Sequence, residues 1–127
     1  MDATQNILTG SEGAEWDLKL AAEWTKNYRD KHAGEAISHF FGKELLQKIL
    51  SQDGCQGLRF YHAIDESGNK HLIIVGAGSD GKDQLPVQST TAAIQTAALV
   101  ASTNTVGQQG LPCPGSIGCP QNVLTGA

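Results

Sequence analysis

The stretch GLRFYHAID-ESGN-KHLIIVGA, residues 57–77, decides the fold of this 127-residue chain. Two runs rich in aromatic and β-branched residues flank four turn-forming residues, and this pattern predicts a β-hairpin. With Asp65 opposite Lys70, Phe60 and Ile73 share one face of the hairpin. Both faces are largely apolar. We therefore expect a helix against one face and a second cover, from the C-terminal segment or from another subunit, against the other.

A helix is predicted ahead of the hairpin, beginning at Ser11 or Gly13 and ending near Lys31. Acidic residues in its first turn favour the helix N-terminus, and Gly34 stops it. Large apolar side chains recur every four residues on one face, and we expect this stripe to be buried. The stripe consists of Leu20, Trp24 and Tyr28.

A second, shorter helix is predicted over residues 43–51, with its apolar side chains facing the hairpin. We expect Phe60 and Ile73 to bury together with Leu46, Ile49 or Leu50 of this helix. Residues 36–41, AISHFF, are predicted to be extended. The fold class is therefore α+β, with two helices packed on a hairpin-centred antiparallel sheet and an ordered, uncharged C-terminal tail.

Charge divides the chain in two, because all 9 basic and 13 acidic residues lie at or before Asp83. We expect an α+β folding unit over residues 1–83 and an assembly segment over residues 84–127 that packs on its own or a neighbouring subunit. The formal net charge of −4 argues against a nucleic-acid partner. No apolar run approaches the about 20 residues of a membrane span, and no secretory signal is evident, so the pattern predicts a cytoplasmic protein. Release by a non-classical route stays open.

The uncharged segment contains one regular piece, STTAAIQTAALVAS, residues 89–102, for which a helix of about three to four turns is predicted. Small side chains at steps of four give this helix a face that another backbone can approach closely. An Ala-rich run is also simply a good helix former, and the threonines favour a strand instead. The candidate assembly interface consists of Ser89, Ala93, Ala97 and Ala101.

Three glycines, Gly76, Gly78 and Gly81, match the dinucleotide-binding spacing G-x-G-x-x-G directly after a predicted strand. The cofactor site also needs a helix starting at the third glycine and an acidic residue about 20 positions later. Pro86 follows the loop closely, and no acidic residue follows Asp83. We therefore expect a glycine-rich turn and no cofactor. The same turn lacks the ligand spacing and closing glutamate of a calcium loop.

The cysteines and histidines form no recognised catalytic or metal pattern. Cys113 and Cys119 could supply two ligands of a zinc site, but no second pair of Cys or His at short spacing accompanies them. Free thiols and a disulfide between the two cysteines are the remaining alternatives. Cys55 stands apart in the sequence. His62 and His71 lie near each other in the hairpin register above and are expected to be structural.

Residues 39–85 resemble a family of small proteins found mainly in Bacteroidota-type bacteria. The resemblance rests on an aromatic-Gly-Lys helix entry at residues 40–43, a Gly-Cys…Gly-Leu-Arg strand opening at residues 54–59, and Leu-Ile-Ile-Val-Gly at residues 72–76. Residues 112–120 approximate the paired-cysteine, proline-containing motif of such proteins. The glycine-rich turn departs from the Asp- and Asn-containing loop of the family. The resemblance implies no activity.

These features favour a non-enzymatic structural subunit that self-assembles into a homo-oligomer or filament. No catalytic residue, metal site, cofactor or small-molecule substrate is predicted, and the expected partner is the protein itself. The alternative is an adaptor that docks on a larger bacterial machine. A small enzyme or nucleotide-binding protein is a more distant alternative. The behaviour of the purified protein on its own distinguishes the first two.

Overall fold

The computed structural model describes residues 7–86 and 104–126. Within these residues the chain has an α+β architecture, which confirms the predicted fold class. The candidate interface residues Ser89, Ala93, Ala97 and Ala101 lie outside the described residues. In chain order the elements are α1 (Leu18–Lys31), β1 (Ser38–Phe40), α2 (Lys43–Leu50), β2 (Cys55–Ile64), β3 (Lys70–Gly78), β4 (Asp83–Gln84) and β5 (Leu111–Cys113).

The described strands form two sheets. One is three-stranded with the order β2-β3-β4, and the other pairs β1 with β5. The β1–β5 pairing is antiparallel and places Ser38 opposite Cys113 and Phe40 opposite Leu111. The extended segment predicted over residues 36–41 is thus a strand whose partner lies far along the chain, a pairing that local sequence patterns do not disclose.

The chain divides into two compact units. Within the described residues, the first unit comprises residues 7–12, 42–62, 72–86 and 104–108. The second unit comprises residues 13–41, 63–71 and 109–126. Residues from before and after position 83 contribute to each unit. The body of the hairpin lies in the first unit, and its tip, residues 63–71, belongs to the second.

The hairpin turn is one residue shorter than expected. The Asp65 N–H donates to the Asn69 carbonyl (2.9 Å), and the Gly68 N–H donates to the Asp65 carbonyl (3.0 Å). Gly68 has φ 87, a conformation that glycine adopts without strain. Asp65 therefore lies opposite Asn69 instead of Lys70. Because side chains alternate along a strand, this shift by one residue moves Phe60 from the face of Ile73 to the opposite face.

Contacts at the other end of the hairpin agree with this register. Asp83 pairs with Ala77 on the neighbouring strand, so the two side chains share a face. The Asp83 carboxylate contacts both the Arg59 guanidinium and the Tyr61 hydroxyl, which places these two β2 residues on the same face. Odd-numbered residues of β2 and β3 thus share one side, as the shorter turn requires.

Strand β3 is paired along both edges. β2 lies on one edge, and the Gly78 N–H donates to the Lys82 carbonyl (3.0 Å) on the other. Further along that second edge, the Ile74 N–H donates to the Gly107 carbonyl (2.9 Å), and the Gly107 N–H donates to the Ile74 carbonyl (2.7 Å). A Cβ at position 107 would lie 2.9 Å from Leu45 Cδ2, so only glycine lets the returning chain approach α2 this closely.

Gln52, which follows α2, connects this returning chain to β4. Its Oε1 accepts from the Thr105 N–H (2.7 Å), and its Nε2 donates to Gln84 Oε1 (2.9 Å). Gln84 Nε2 in turn donates to the Asp53 carbonyl (2.8 Å). Side-chain amides thus satisfy the backbone polar groups where three segments of the first unit meet.

The core of the described residues is small and centres on β3. The buried apolar residues are Ile49, Ile74, Val75, Ala77 and Cys113. Phe60, expected in the core, is 49% exposed, so that expectation is wrong. The register puts Ile74 instead of Ile73 in the fully buried position beside Ile49 of α2. Phe60 shares that side of the hairpin and is nevertheless half exposed.

Replacing a buried and a half-exposed residue of the hairpin should identify the core in solution. Ile74→Ala should lower the free energy of unfolding by about 3 kcal/mol, because it leaves a cavity at a fully buried position. Phe60→Ala should lower it by about 1 kcal/mol or less, because half of that side chain is already in water. Urea denaturation measures both values. Equal costs for the two variants, or a larger cost for Phe60→Ala, would contradict the burial of Ile74 and the exposure of Phe60.

Candidate functional site

Helix α1 starts later than the acidic residues at 12 and 15 suggest. Glu12 accepts hydrogen bonds from the N–H groups of Thr9 (2.7 Å) and Gly10 (2.9 Å), so its carboxylate completes a local turn. Asp17 is the N-cap of α1, with its side chain accepting from the Leu20 N–H (3.0 Å). This capping bond satisfies a free donor of the first turn and determines where the helix begins.

The packed side of α1 carries small residues. Ala21, Ala22 and Thr25 are half-buried, and so is Arg29, whose Nη1 donates to the Leu124 carbonyl (2.8 Å). The Thr25 hydroxyl is satisfied within the helix by the carbonyls of Ala21 and Ala22, each at 3.0 Å. Small side chains let neighbouring backbone come close, and the Arg29 bond holds the C-terminal residues of the second unit against this side.

Leu20, Trp24 and Tyr28 of α1 lie on a different side and remain exposed, as does Trp16 just before the helix. We call the surface formed by Trp16, Leu20, Trp24 and Tyr28 the aromatic face; these residues are 59%, 42%, 60% and 38% exposed. The rings of Trp16 and Trp24 lie 5.1 Å apart between centroids and are tilted by 46°. The expectation that the Leu20, Trp24 and Tyr28 stripe is buried is therefore wrong, because the side of Ala21, Ala22 and Thr25 is the less exposed one.

The C-terminal end of the aromatic face is held in place by Lys70 at the hairpin tip. Lys70 Nζ donates to the Tyr28 hydroxyl (3.0 Å) and lies 2.7 Å from Glu35 Oε1. The His32 ring stacks on the Tyr28 ring, with centroids 4.2 Å apart. The hydrogen bond from Lys70 lowers the pKa of Glu35, and the same bond raises the pKa of Lys70, so the pair stays charged at neutral pH.

The other charged cluster of the described residues lies on β2 and β4 of the first unit. Arg59 Nη1 donates to Asp83 and also to the Gly81 carbonyl (3.1 Å). The hydrogen bond to the Asp83 carboxylate raises the pKa of Tyr61, so this hydroxyl remains a neutral donor. The cluster binds the glycine-rich turn to β2, which is a structural task.

The glycine-rich turn connects two strands. Gly76 pairs with Gln84, and a Cβ there would lie 2.7 Å from Gln84 Oε1, so side-chain packing requires the glycine. Gly81 has φ 86, and its N–H donates to the Gly78 carbonyl (2.9 Å). The residues that follow pair back as β4. The loop is a strand–turn–strand connection, as the position of Pro86 suggested.

The cysteine alternatives left open by the sequence are resolved by the structure. Cys113 and Cys119 form a disulfide with an S–S distance of 2.02 Å, and Cys55 is a half-buried free thiol. His71 Nε2 lies 2.8 Å from Asp65 Oδ2, and the register places His62 on the other side of the hairpin. Among residues 7–86 and 104–126 no group of His, Cys, Asp and Glu has the arrangement of a metal site.

Where the chain is described, no helix has both the length and the apolar character needed to cross a bilayer. Comparisons with protein-family models, curated proteins and solved structures find no match. The resemblance to a Bacteroidota family stays a hypothesis. The aromatic face of α1 is the surface feature from which a function can be argued.

The hairpin turn itself should respond to acid. Hydrogen bonds from His71 and from the Asn69 N–H lower the pKa of Asp65 to about 2. A carboxyl with a depressed pKa stabilises the fold fully above the pKa of its unfolded state, near 3.8, and this contribution is lost as the pH falls towards 2. Asp65→Asn should therefore lower the melting temperature at pH 6. Between pH 4 and pH 2, the melting temperature of this variant should fall less than that of the wild type.

Melting curves followed by circular dichroism across this pH range measure the effect. Glu66→Gln, an exposed change in the same turn, is the matched control and should follow wild type. Parallel acid profiles for wild type and Asp65→Asn would contradict the assigned role of Asp65.

Proposed function

We propose that the protein is a non-enzymatic structural subunit that self-assembles into a homo-oligomer through the aromatic face of α1. The observation that carries the proposal is the exposure of four large apolar side chains, three on one side of α1 and Trp16 just before its N-cap. A contiguous apolar patch on a small protein is typical of an interaction surface, whereas single exposed apolar residues are ordinary.

The magnitude of the apolar burial supports an interaction role. Fully burying one large apolar side chain contributes about 1.5–3 kcal/mol, so covering the exposed half of such a side chain contributes about half of that. Tryptophan and tyrosine are enriched among residues that dominate binding energies. Association itself costs at least about 4 kcal/mol in lost freedom of motion. One such residue is therefore insufficient, while the four residues of the aromatic face acting together exceed that cost.

The distribution of polar groups also favours a scaffold over an enzyme. Three ion pairs of the described residues join parts of the fold, in the contacts Arg59–Asp83, Lys70–Glu35 and His71–Asp65. Each of these pairs connects a loop or strand to a neighbouring element. Charges used in this way stabilise the fold.

A second contact is predicted for the uncharged segment, at Ser89, Ala93, Ala97 and Ala101. One interaction surface produces a closed oligomer, whereas two different surfaces on one subunit allow a filament. Ala97→Glu therefore tests this second contact separately. It should shorten any filament and leave association through the aromatic face intact.

Sedimentation velocity over a wide concentration range tests the proposal. The wild-type protein should sediment as a species heavier than its 13.4 kDa chain and dissociate on dilution. Trp24→Ser should shift it to the monomer, because a large apolar side chain that is 60% exposed is removed from the contact. Ile117→Ser is the matched control; this residue is 88% exposed, lies off α1, and should assemble like wild type.

Two outcomes contradict the proposal. In the first, folded wild-type protein is a monomer at every concentration, and the adaptor alternative then takes its place. In the second, the Trp24→Ser and Ile117→Ser variants assemble equally well, so that self-association does not use the aromatic face.

A further inference from the structure

We propose that the partner of the aromatic face is the same face of a second copy, with the two α1 helices antiparallel and Trp24 at the two-fold axis. This inference rests on the proposed function and specifies its contact. It follows from the positions of two charged residues relative to Trp24 on α1.

Asp17, Trp24 and Lys31 follow one another at steps of seven residues. Seven residues make nearly two full helical turns, so the three side chains lie along one line of the helix, about 10 Å apart. All three are exposed. The line runs through the centre of the aromatic face, with Leu20 and Tyr28 on its two flanks.

This charge order selects the relative direction of two helices. In an antiparallel pair centred on Trp24, Asp17 lies opposite Lys31 of the partner subunit, and the symmetry repeats this favourable contact at the other end. In a parallel pair, Asp17 would lie opposite a second Asp17 and Lys31 opposite a second Lys31. Like charges across an interface disfavour that arrangement.

The apolar residues match in the same arrangement. Leu20 and Tyr28 are each four residues from Trp24, in opposite directions. An antiparallel pair therefore brings Leu20 of one copy level with Tyr28 of the other, and the two tryptophans at position 24 meet at the axis. Tyr28 is already held by Lys70 and His32, so its ring loses little freedom on binding.

A contact of this kind is isologous, which means that each copy contributes the same surface. Both surfaces are then buried in the dimer and cannot bind a third copy. Association through α1 alone therefore stops at a dimer. A filament requires the second contact predicted for residues 89–102. The α1 dimer is then the repeating unit of any larger assembly.

Charge reversal with mixing tests the arrangement. Lys31→Glu places two acidic residues opposite each other at both ends of the pair, and Asp17→Lys places two basic residues there. Each variant alone should dimerise at least about tenfold more weakly than wild type in sedimentation equilibrium. An equimolar mixture of the two variants restores opposite charges at both ends, so it should recover wild-type association as a heterodimer.

Lys19→Glu is the matched control, because it makes the same charge change on an exposed residue of α1 that lies away from the aromatic face. It should dimerise like wild type. Asp17→Lys also removes the helix cap, so circular dichroism checks the helix, and Asp17→Asn supplies a variant that keeps a capping oxygen. Asp17→Asn should weaken the dimer less than Lys31→Glu does.

The outcomes separate this inference from the proposed function. If wild type is monomeric, both fail. If wild type associates but Lys31→Glu behaves like Lys19→Glu, self-assembly stands and the antiparallel contact is overturned. Two weakened variants whose mixture does not recover association also overturn the opposition of Asp17 and Lys31.

Discussion

The pairing of β3 along both edges is the constraint on which the rest of the structure depends. β2 occupies one edge, while β4 and then Gly107 occupy the other from Gly78 to Ile74, so this half of the strand is paired on both sides. Its side chains Ile74 and Val75 are buried on opposite faces. The chain after β4 must return to Ile74, and Gly107 is the residue that permits this return beside Leu45.

The same hairpin also supplies the residue that organises the candidate site. Its tip carries Lys70, which contacts Tyr28 and Glu35 in the second unit. Lys70 thus holds one end of the aromatic face, while the Arg29 bond to Leu124 holds α1 on a different side. An apolar stripe is thereby kept on the surface by ion pairs and small-residue packing, and its exposure is a property of the fold.

Local patterns predicted the hairpin, α2 and the extended β1 segment, because each depends on residues close in sequence. The register could not be predicted, since turns over residues 65–69 and 65–70 both suit the same turn-forming sequence. The periodicity of Leu20, Trp24 and Tyr28 identified an apolar face but not what covers it. Ala21, Ala22 and Thr25, which offer a second packing side, were the signal for the alternative. The β1–β5 pairing and the contact of Gly107 with Ile74 join segments that are distant in sequence. Local propensity does not predict such pairings.

Tryptophan fluorescence on dilution tests the central claim most directly, because both tryptophans of the chain, Trp16 and Trp24, lie in the aromatic face. Self-association through this face transfers the two indole rings from water to an apolar contact. The account predicts that the emission maximum moves to longer wavelength as the protein is diluted, over the same concentrations at which its mass falls to that of the monomer. An emission maximum typical of exposed tryptophan at every concentration, while the mass changes, would contradict it.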